Sequence, residues 1–177
     1  MNHQGQSVNS KAHDMTLMAV VSALYVVLTF LLAPLAFGPG FRISEGLNFL
    51  ALYNKRHIYA ITVGVFIVNY FAYGIWDMVI GSLSSLVFLF IGKYLAEKAA
   101  TWAQKAGFKG DPMLVKYAIL AIVFSLSMFT ITLMIIMLGS GDAFWPLYIS
   151  QVVIELGSLA LGAIFMYPLS KRIDFTR

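Results

Sequence analysis

The sequence predicts an all-α membrane protein, a bundle of six transmembrane helices with both termini in the cytoplasm. Hydrophobic residues make up 60% of the 177 residues and charged residues only 11%, so the chain lacks the polar surface of a water-soluble protein. Basic residues lie at the ends of apolar stretches, and all of them except Arg42 can be placed on one side of a membrane. The length leaves no room for a soluble domain besides the bundle.

Five apolar stretches are long enough to cross the membrane. The first has no charged residue from Met15 to Phe41, and its far end is broken by Pro34 and the glycines that follow, so we place the span at 15–33 and a loop after it. The other spans are predicted at 58–73, at 77–93 with an amphipathic tail to about 105, at 117–138 and at 145–170. We expect polar tails in the cytoplasm at 1–14 and 171–177, flanking one substrate-binding domain at 15–170.

A short segment at 41–54 decides the topology. It contains Arg42 and Glu45 and would be about 21 Å long as an α-helix. If it does not span, Lys55 and Arg56 lie on the side opposite the N-terminus; if it spans, every Lys and Arg except Arg42 shares one side. Because basic residues favour the cytoplasmic side, we predict a short spanning helix whose polar residues face protein or a water-filled cavity.

Several classes of function are excluded by what the sequence lacks. The chain has no cysteine, which rules out disulfides, thiol catalysis and cysteine-ligated zinc. It has no G-x-x-x-x-G-K-[ST] loop, so any energy from ATP must come from a partner. No histidine falls within a predicted span to serve as a general base. We therefore expect neither an enzyme nor a cofactor or metal, and the scattered basic residues give no patch for nucleic acid.

Polar side chains inside the predicted spans mark a binding site, because an ionisable group in the bilayer is costly. Glu155 lies close to the membrane midplane in the last span. Gln151 precedes it by four residues and Tyr148 precedes Gln151 by three, so all three lie on the same helix face. The candidate substrate-binding residues are Arg42, Glu45, Asn69, Trp76, Asp77, Trp145, Tyr148, Gln151 and Glu155.

Structural roles are open for most of these candidates. Arg42 and Glu45, three residues apart, could pair with each other and brace the loop. Asp77 could be the N-cap of its helix or a first-turn carboxylate that satisfies free N–H groups. Asn69 and Gln151 could hold neighbouring helices together. The tryptophans, Trp76 and Trp145, could be anchors at the membrane surface.

The charge balance favours a ligand rich in N–H donors. Arg42 is opposed by Glu45, Asp77, Asp142 and Glu155, which gives a formal charge of −3 in the outer and intramembrane region. Aromatic rings beside carboxylates and amides suit a flat heterocycle, which can stack on the rings and donate its N–H edge to the carboxylates.

Four stretches of sequence carry a resemblance to a known family. They are Ala19-x-x-x-Ala23, the run L-A-P-L-A-F-G at 32–38, F-R-I-S-E at 41–45 and D-M-V-I-G-S-L at 77–83. With these motifs the chain resembles the substrate-binding S components of energy-coupling factor (ECF) vitamin transporters. More narrowly it resembles the QueT family, assigned to queuosine precursors, and the likeness covers residues 15–170.

The resemblance implies a six-helix S-component fold that holds its ligand in the outer half of a prokaryotic plasma membrane. It implies that Ala19 and Ala23 dock on a coupling membrane subunit driven by two ABC ATPases, although the spacing alone would also fit packing inside the bundle. The implied ligands are 7-deazaguanines such as 7-aminomethyl-7-deazaguanine. The alternatives are an S component for another vitamin, or a stand-alone carrier coupled to protons through Glu155.

Overall fold

The computed structural model describes residues 3–176, with side chains from Lys11 onward, and every regular element in that range is helical. The predicted tails at 1–14 and 171–177 are therefore described only in part, since Met1, Asn2 and Arg177 lie outside these residues. The elements are α1 (His3–Leu31), α2 (Ala33–Phe37), a 3₁₀ helix (Ile43–Leu52), α3 (Lys55–Tyr73), α4 (Ile75–Lys105), α5 (Pro112–Leu126), α6 (Phe129–Met137) and α7 (Phe144–Ser170). The all-α prediction is confirmed.

Within the described residues, four stretches are long and apolar enough to cross a membrane: Lys11–Leu31, Ile75–Lys105, Pro112–Met137 and Phe144–Ser170. The spans predicted at 58–73, 77–105 and 145–170 fall within α3, α4 and α7. The first span was predicted to end at residue 33, two residues beyond the end of α1 at Leu31. The segment expected to be a loop after it contains α2, which has a proline in its first turn. The part of the N-terminal tail that is described continues α1 without a break.

The span predicted at 117–138 is divided into α5 and α6 by Ser127 and Met128. Ser127 Oγ donates to the carbonyl of Phe124 at 2.6 Å, and Thr130 Oγ1 donates to the carbonyl of Ser127 at 2.9 Å. Hydroxyls that bond to carbonyls of the preceding turn disturb the regular backbone ladder. Hydropathy is insensitive to such a break, because the residues on both sides of it are apolar.

The 3₁₀ helix runs through the centre of the bundle, with every residue from Ser44 to Leu52 buried. At about 2.0 Å per residue its ten residues reach about 20 Å, compared with about 15 Å for an α-helix of that length. It packs backbone to backbone on α7, since a Cβ atom added to Gly162 would lie 2.3 Å from the Cα of Gly46. The 41–54 segment thus contains a helix, as predicted. It is a 3₁₀ helix, which is narrower and longer than an α-helix with the same number of residues.

We call one end of the bundle the lysine-rich end. It is defined by the contacts of Arg56 with Asp14, of Lys93 with the end of the 3₁₀ helix, and of Lys171 with Asp111. Arg56 Nη1 donates to Asp14 Oδ1 at 2.5 Å, so α3 starts beside the first part of α1 and the chain has returned to the end where α1 enters. The hydroxyls of Tyr53 and Tyr117, 3.2 Å apart, connect this point to the start of α5.

Charged side chains at the lysine-rich end brace helix termini. Lys93 Nζ donates to the carbonyls of Ala51 and Leu52 at 2.9 and 3.2 Å, which satisfies the last turn of the 3₁₀ helix. Asp111 caps α5 by accepting from the backbone N–H of Met113 at 2.8 Å.

Candidate functional site

A cavity of about 320 Å³ lies between the helices in the half of the bundle away from the lysine-rich end. The segment 36–40, the start of the 3₁₀ helix and parts of α3 to α7 form its wall. Its volume falls in the range of small-molecule pockets, about 300–1,000 Å³. The segment after α2 folds back into the bundle to form part of this wall, and an added Cβ atom at Gly40 would lie 3.9 Å from Ile154 of α7.

Most of the site residues predicted from the sequence converge on this cavity. Those that line it are Arg42, Glu45, Asn69, Asp77, Gln151 and Glu155. They come from the 3₁₀ helix, α3, α4 and α7, so four separate parts of the chain supply them. Serines on the Asp77 face of α4, Ser84 and Ser85, line the cavity as well.

The aromatic candidates lie elsewhere. Trp76 and Trp145 are 57% and 68% exposed on the outside of the bundle, where membrane-surface anchors are found. Tyr148 donates its hydroxyl to the carbonyl of Leu126 at 3.0 Å and is not part of the cavity wall. Their contact with a ligand stays a prediction. Asp142 lies in the exposed loop before α7, bonded to Ser140, so the cavity itself sets Arg42 against three carboxylates.

Glu45 is held by two side chains that sequence analysis missed. Tyr25 donates its hydroxyl to Glu45 Oε1 at 2.5 Å, and Asn48 Nδ2 donates to Glu45 Oε2 at 2.6 Å. The possible pair with Arg42 is present as an ion pair with 4.0 Å between Nη1 and Oε1. Tyr25 could have been found as a hydroxyl far from either end of the first span, and Asn48 as an amide one turn after Glu45.

Asn69 joins Arg42 to Asp77. Arg42 Nη1 donates to Asn69 Oδ1 at 2.9 Å, and Asn69 Nδ2 donates to Asp77 Oδ1 and to its carbonyl at 3.2 and 3.3 Å. The possibility that Asn69 links helices is therefore correct, because this bridge ties α3 to α4. The N-cap of α4 is Gly74 and Asp77 lies in the first turn of the helix, so Asp77 is a first-turn carboxylate and not the cap. Gly81 leaves room for the bridge, since a Cβ atom there would lie 2.2 Å from Asn69 Nδ2.

Glu155 has a free hydrogen-bond acceptor next to Arg42. Its residue surface is 6% exposed, and its Oε1 makes no hydrogen bond to any described residue. The backbone N–H of Arg42 donates to Ser158 Oγ at 3.1 Å, one helical turn along α7 from Glu155. Arg42 Nε is likewise buried with no hydrogen-bond partner in the described part of the chain. The residues of the cavity wall thus include a fully buried acceptor and a fully buried donor that have no partner among the described residues.

Ala19 and Ala23 lie on the exposed side of α1, while Val21, Ser22 and Tyr25 form its buried side. The possibility that this small-residue ridge packs inside the bundle is therefore wrong for the described structure. Because two alanines expose so little side chain, another helix could approach the α1 backbone closely at this point.

Comparisons with known proteins point to transport. A family model described as "QueT transporter" matches residues 15–171. The chain is 37% identical over 174 residues to a protein of Lactococcus lactis subsp. cremoris named "Queuosine precursor transporter QueT", an alignment that covers 95% of this chain and 98% of the relative. No solved structure matches the chain significantly.

Proposed function

The chain belongs to the QueT transporter family, and on that premise we propose that it is the substrate-binding component of an ECF-type ABC importer that takes up a queuosine precursor. As a member of this family it is a multi-pass membrane transporter and not an enzyme. The observation that carries the proposal is the 320 Å³ cavity, which combines Arg42 with three carboxylates and leaves one carboxylate oxygen of Glu155 without a partner.

The proposed topology is six spans with both termini in the cytoplasm. It is supported by the gathering of basic residues at the lysine-rich end and by the contact of Arg56 with Asp14, which joins the start of α3 to α1. In this topology the 3₁₀ helix is the second span, buried among its neighbours, so that its polar residues never meet lipid. The cavity then lies in the outer half of the membrane.

The proposed ligand is a 7-deazaguanine such as 7-aminomethyl-7-deazaguanine. The relative's name supplies the class of ligand, and the composition of the cavity supports it. With Arg42 against Glu45, Asp77 and Glu155, the wall has a formal charge of −2, which suits an aminomethyl cation and the N–H edge of a guanine ring.

The proposed energy source is a coupling membrane subunit with two ABC ATPases. No G-x-x-x-x-G-K-[ST] loop occurs in the sequence, so this chain would bind ligand and leave ATP hydrolysis to its partners. The exposed alanine ridge of α1, Ala19 and Ala23, is the proposed docking surface for the coupling subunit.

Uptake by proteoliposomes tests the proposal, with the chain reconstituted together with a coupling subunit and two ATPases. We expect the purified chain to bind 7-aminomethyl-7-deazaguanine in a thermal-shift assay, and uptake to require ATP and all partners. Ala23→Leu should abolish uptake and leave binding unchanged, because the larger side chain blocks docking but lies far from the cavity. Val87→Leu, at an exposed position of another helix, α4, is the control and should transport normally.

Other outcomes would separate the alternatives. Uptake by the chain alone, driven by a proton gradient, would replace the importer by a stand-alone carrier that uses Glu155 as its proton site. Binding of a different vitamin in place of any deazapurine would keep the mechanism and change the ligand. Loss of binding in Ala23→Leu with intact partner assembly would remove the docking role of the ridge.

A further inference from the structure

We propose that Arg42 and Glu155 together read the carbonyl and N–H edge of the ligand's ring, and that Glu45 is a positioning residue that does not contact the ligand. The inference rests on the proposed function and assigns roles within the same cavity. It follows from which polar atoms already have partners.

Glu45 is occupied on both oxygens. Tyr25 and Asn48 each donate a short hydrogen bond to it, at 2.5 and 2.6 Å, and both donors are fully buried. A carboxylate held in this way is fixed in orientation, and a ligand could displace neither donor without leaving it unpaired in the core. Its charge remains within reach of Arg42, with 4.0 Å between Oε1 and Nη1. Glu45 thus helps to hold the guanidinium in place.

Arg42 and Glu155 are neighbours that do not pair. The backbone of Arg42 is anchored to Ser158, one turn from Glu155 on α7, yet no ion pair joins the two side chains within the described residues. The guanidinium is turned towards α3 by the bond from Nη1 to Asn69. This leaves Nε of Arg42 and Oε1 of Glu155 as a buried donor and a buried acceptor with no partner among the described residues, on two side chains that line the same cavity.

A buried donor and a buried acceptor that both lack partners, on two side chains of one cavity wall, are the complement of one particular ligand edge. A ring carbonyl can accept from Arg42 Nε–H, while the adjacent ring N–H and an exocyclic amino group donate two parallel bonds to the Glu155 carboxylate. Guanine and 7-deazaguanine present this order of groups. In the same orientation, an adenine-like edge places an amino donor against the arginine and a bare ring nitrogen against the carboxylate, so both contacts would be unfavourable.

Binding constants for a short series of 7-deazapurines, measured on the purified full-length chain, test the assignment. We expect the wild-type protein to bind 7-deazaguanine at least a hundredfold more tightly than 7-deazaadenine. The ligand 7-deazahypoxanthine, which lacks the exocyclic amino group, should bind about tenfold more weakly than 7-deazaguanine because one bond to Glu155 is lost. This ligand series is measured on the wild-type protein, so its result does not depend on whether a variant folds.

Two matched variants distinguish the roles of Glu155 and Glu45 by their effect on the preference for 7-deazaguanine over 7-deazaadenine. Glu155→Gln should weaken 7-deazaguanine more than tenfold and reduce its preference over 7-deazaadenine, because the amide replaces one acceptor by a donor. Glu45→Gln should weaken all three ligands by a common factor and leave the preference unchanged, since it only disturbs the placement of Arg42. Arg42→Lys keeps the charge but lacks Nε–H, so it should reduce binding of the carbonyl-bearing ligands.

Failure of this inference is distinguishable from failure of the proposed function. If the wild-type protein bound no deazapurine, the proposed ligand class would be wrong. If it bound 7-deazaguanine and Glu155→Gln kept the full preference, only the present assignment would be overturned. A change of preference in Glu45→Gln would overturn it as well, because it would show that Glu45 reads the ligand.

Discussion

The lysine-rich end and the cavity use charged residues in different ways. At the lysine-rich end, Lys93 and Asp111 are bonded to backbone groups at helix termini. In the cavity, Glu155 keeps an oxygen without a partner and Arg42 keeps a free Nε. Charged residues at the lysine-rich end thus brace helix termini. In the cavity wall, Glu45 and Asp77 are bonded to other side chains, and Glu155 keeps an oxygen with no partner among the described residues.

Helix termini explain much of the difference. The first N–H groups and the last carbonyls of a helix have no partner within the helix, so a nearby charged side chain is drawn to them. The start of α4, at the cavity, is capped by Gly74 without a side chain, which leaves Asp77 free to hold Asn69. The lysine-rich end also contains buried nitrogens with no partner among the described residues, on Arg56 and His57, and each of these side chains, like Arg42, makes a hydrogen bond through another nitrogen.

The largest effect is expected where the 3₁₀ helix meets α7. Gly162→Ala would place a Cβ atom 2.3 Å from the Cα and 2.8 Å from the backbone nitrogen of Gly46, and neither atom can move aside alone. We expect the free energy of unfolding to fall by about 3 kcal/mol and binding to be lost, since Glu45 adjoins Gly46.

Thermal unfolding in detergent with a ligand titration measures both effects. Gly157→Ala on the same helix is the control, because its Cβ atom would make an ordinary 3.6 Å contact with Phe41. Equal stability of the two variants would contradict the backbone contact between the 3₁₀ helix and α7.

The second-largest effect is expected at Glu155. Glu155→Met removes a buried acceptor that has no partner and fills a similar volume, so the ligand-free protein should become more stable by about 1–3 kcal/mol. Ligand binding should disappear at the same time. Thermal unfolding of the ligand-free protein checks the first part. The control is Glu97→Met, which removes only an exposed 3.8 Å ion pair with Lys93 and should change stability by less than about 1 kcal/mol and leave binding unchanged. A less stable Glu155→Met protein would mean that Glu155 supports the fold.

The smallest effect is expected at the lysine-rich end. Asp111→Ala removes the N-cap of α5 and should lower the free energy of unfolding by about 1 kcal/mol, with no change in ligand affinity. Lower affinity in this variant would contradict the separation of the two regions.

The same carboxylate gives a pH dependence. Hydrogen bonds from Lys171, from the N–H of Met113 and from Tyr167 lower the pKa of Asp111 to about 2, below its ordinary value of 3.8. A lowered carboxyl pKa stabilises the folded state above the ordinary value, and this contribution is lost as the pH falls towards about 2. Acid unfolding curves of the wild-type protein and Asp111→Ala should therefore converge between about pH 4 and about pH 2. Curves that stayed apart at the lowest pH would contradict this origin.

Much of the fold could be predicted because each span is recognisable from its own apolar stretch of sequence. The α3, α4 and α7 helices lie where their apolar stretches predict, and parity of the basic residues indicated that the 41–54 segment returns towards the start of the chain, as the Arg56–Asp14 contact also indicates. The break at Ser127 and the 3₁₀ geometry escaped prediction, because hydropathy averages over a window and carries no information on hydrogen bonds between neighbouring turns.

The candidate site was predictable in part for the same reason. A charged residue in an apolar stretch is conspicuous, so Arg42, Glu45, Asp77 and Glu155 were found, and they share one cavity. Tyr25 and Asn48 are less conspicuous, since tyrosine and asparagine are tolerated in many places. Trp76 adjoins Asp77 in the sequence, but consecutive residues of a helix point in different directions, and neither Trp76 nor Trp145 is part of the cavity wall.

Composition and the order of apolar and basic residues determined that this chain is a membrane protein built of helices, and they identified the charged groups that its interior must accommodate. Tertiary structure alone decided which of those groups is free. Tyr25 and Glu45 are 20 positions apart, and Arg42 and Ser158 are 116 positions apart. Hydropathy depends on each residue and its neighbours in sequence, whereas the saturation of a buried carboxylate depends on donors that only packing brings within about 3 Å.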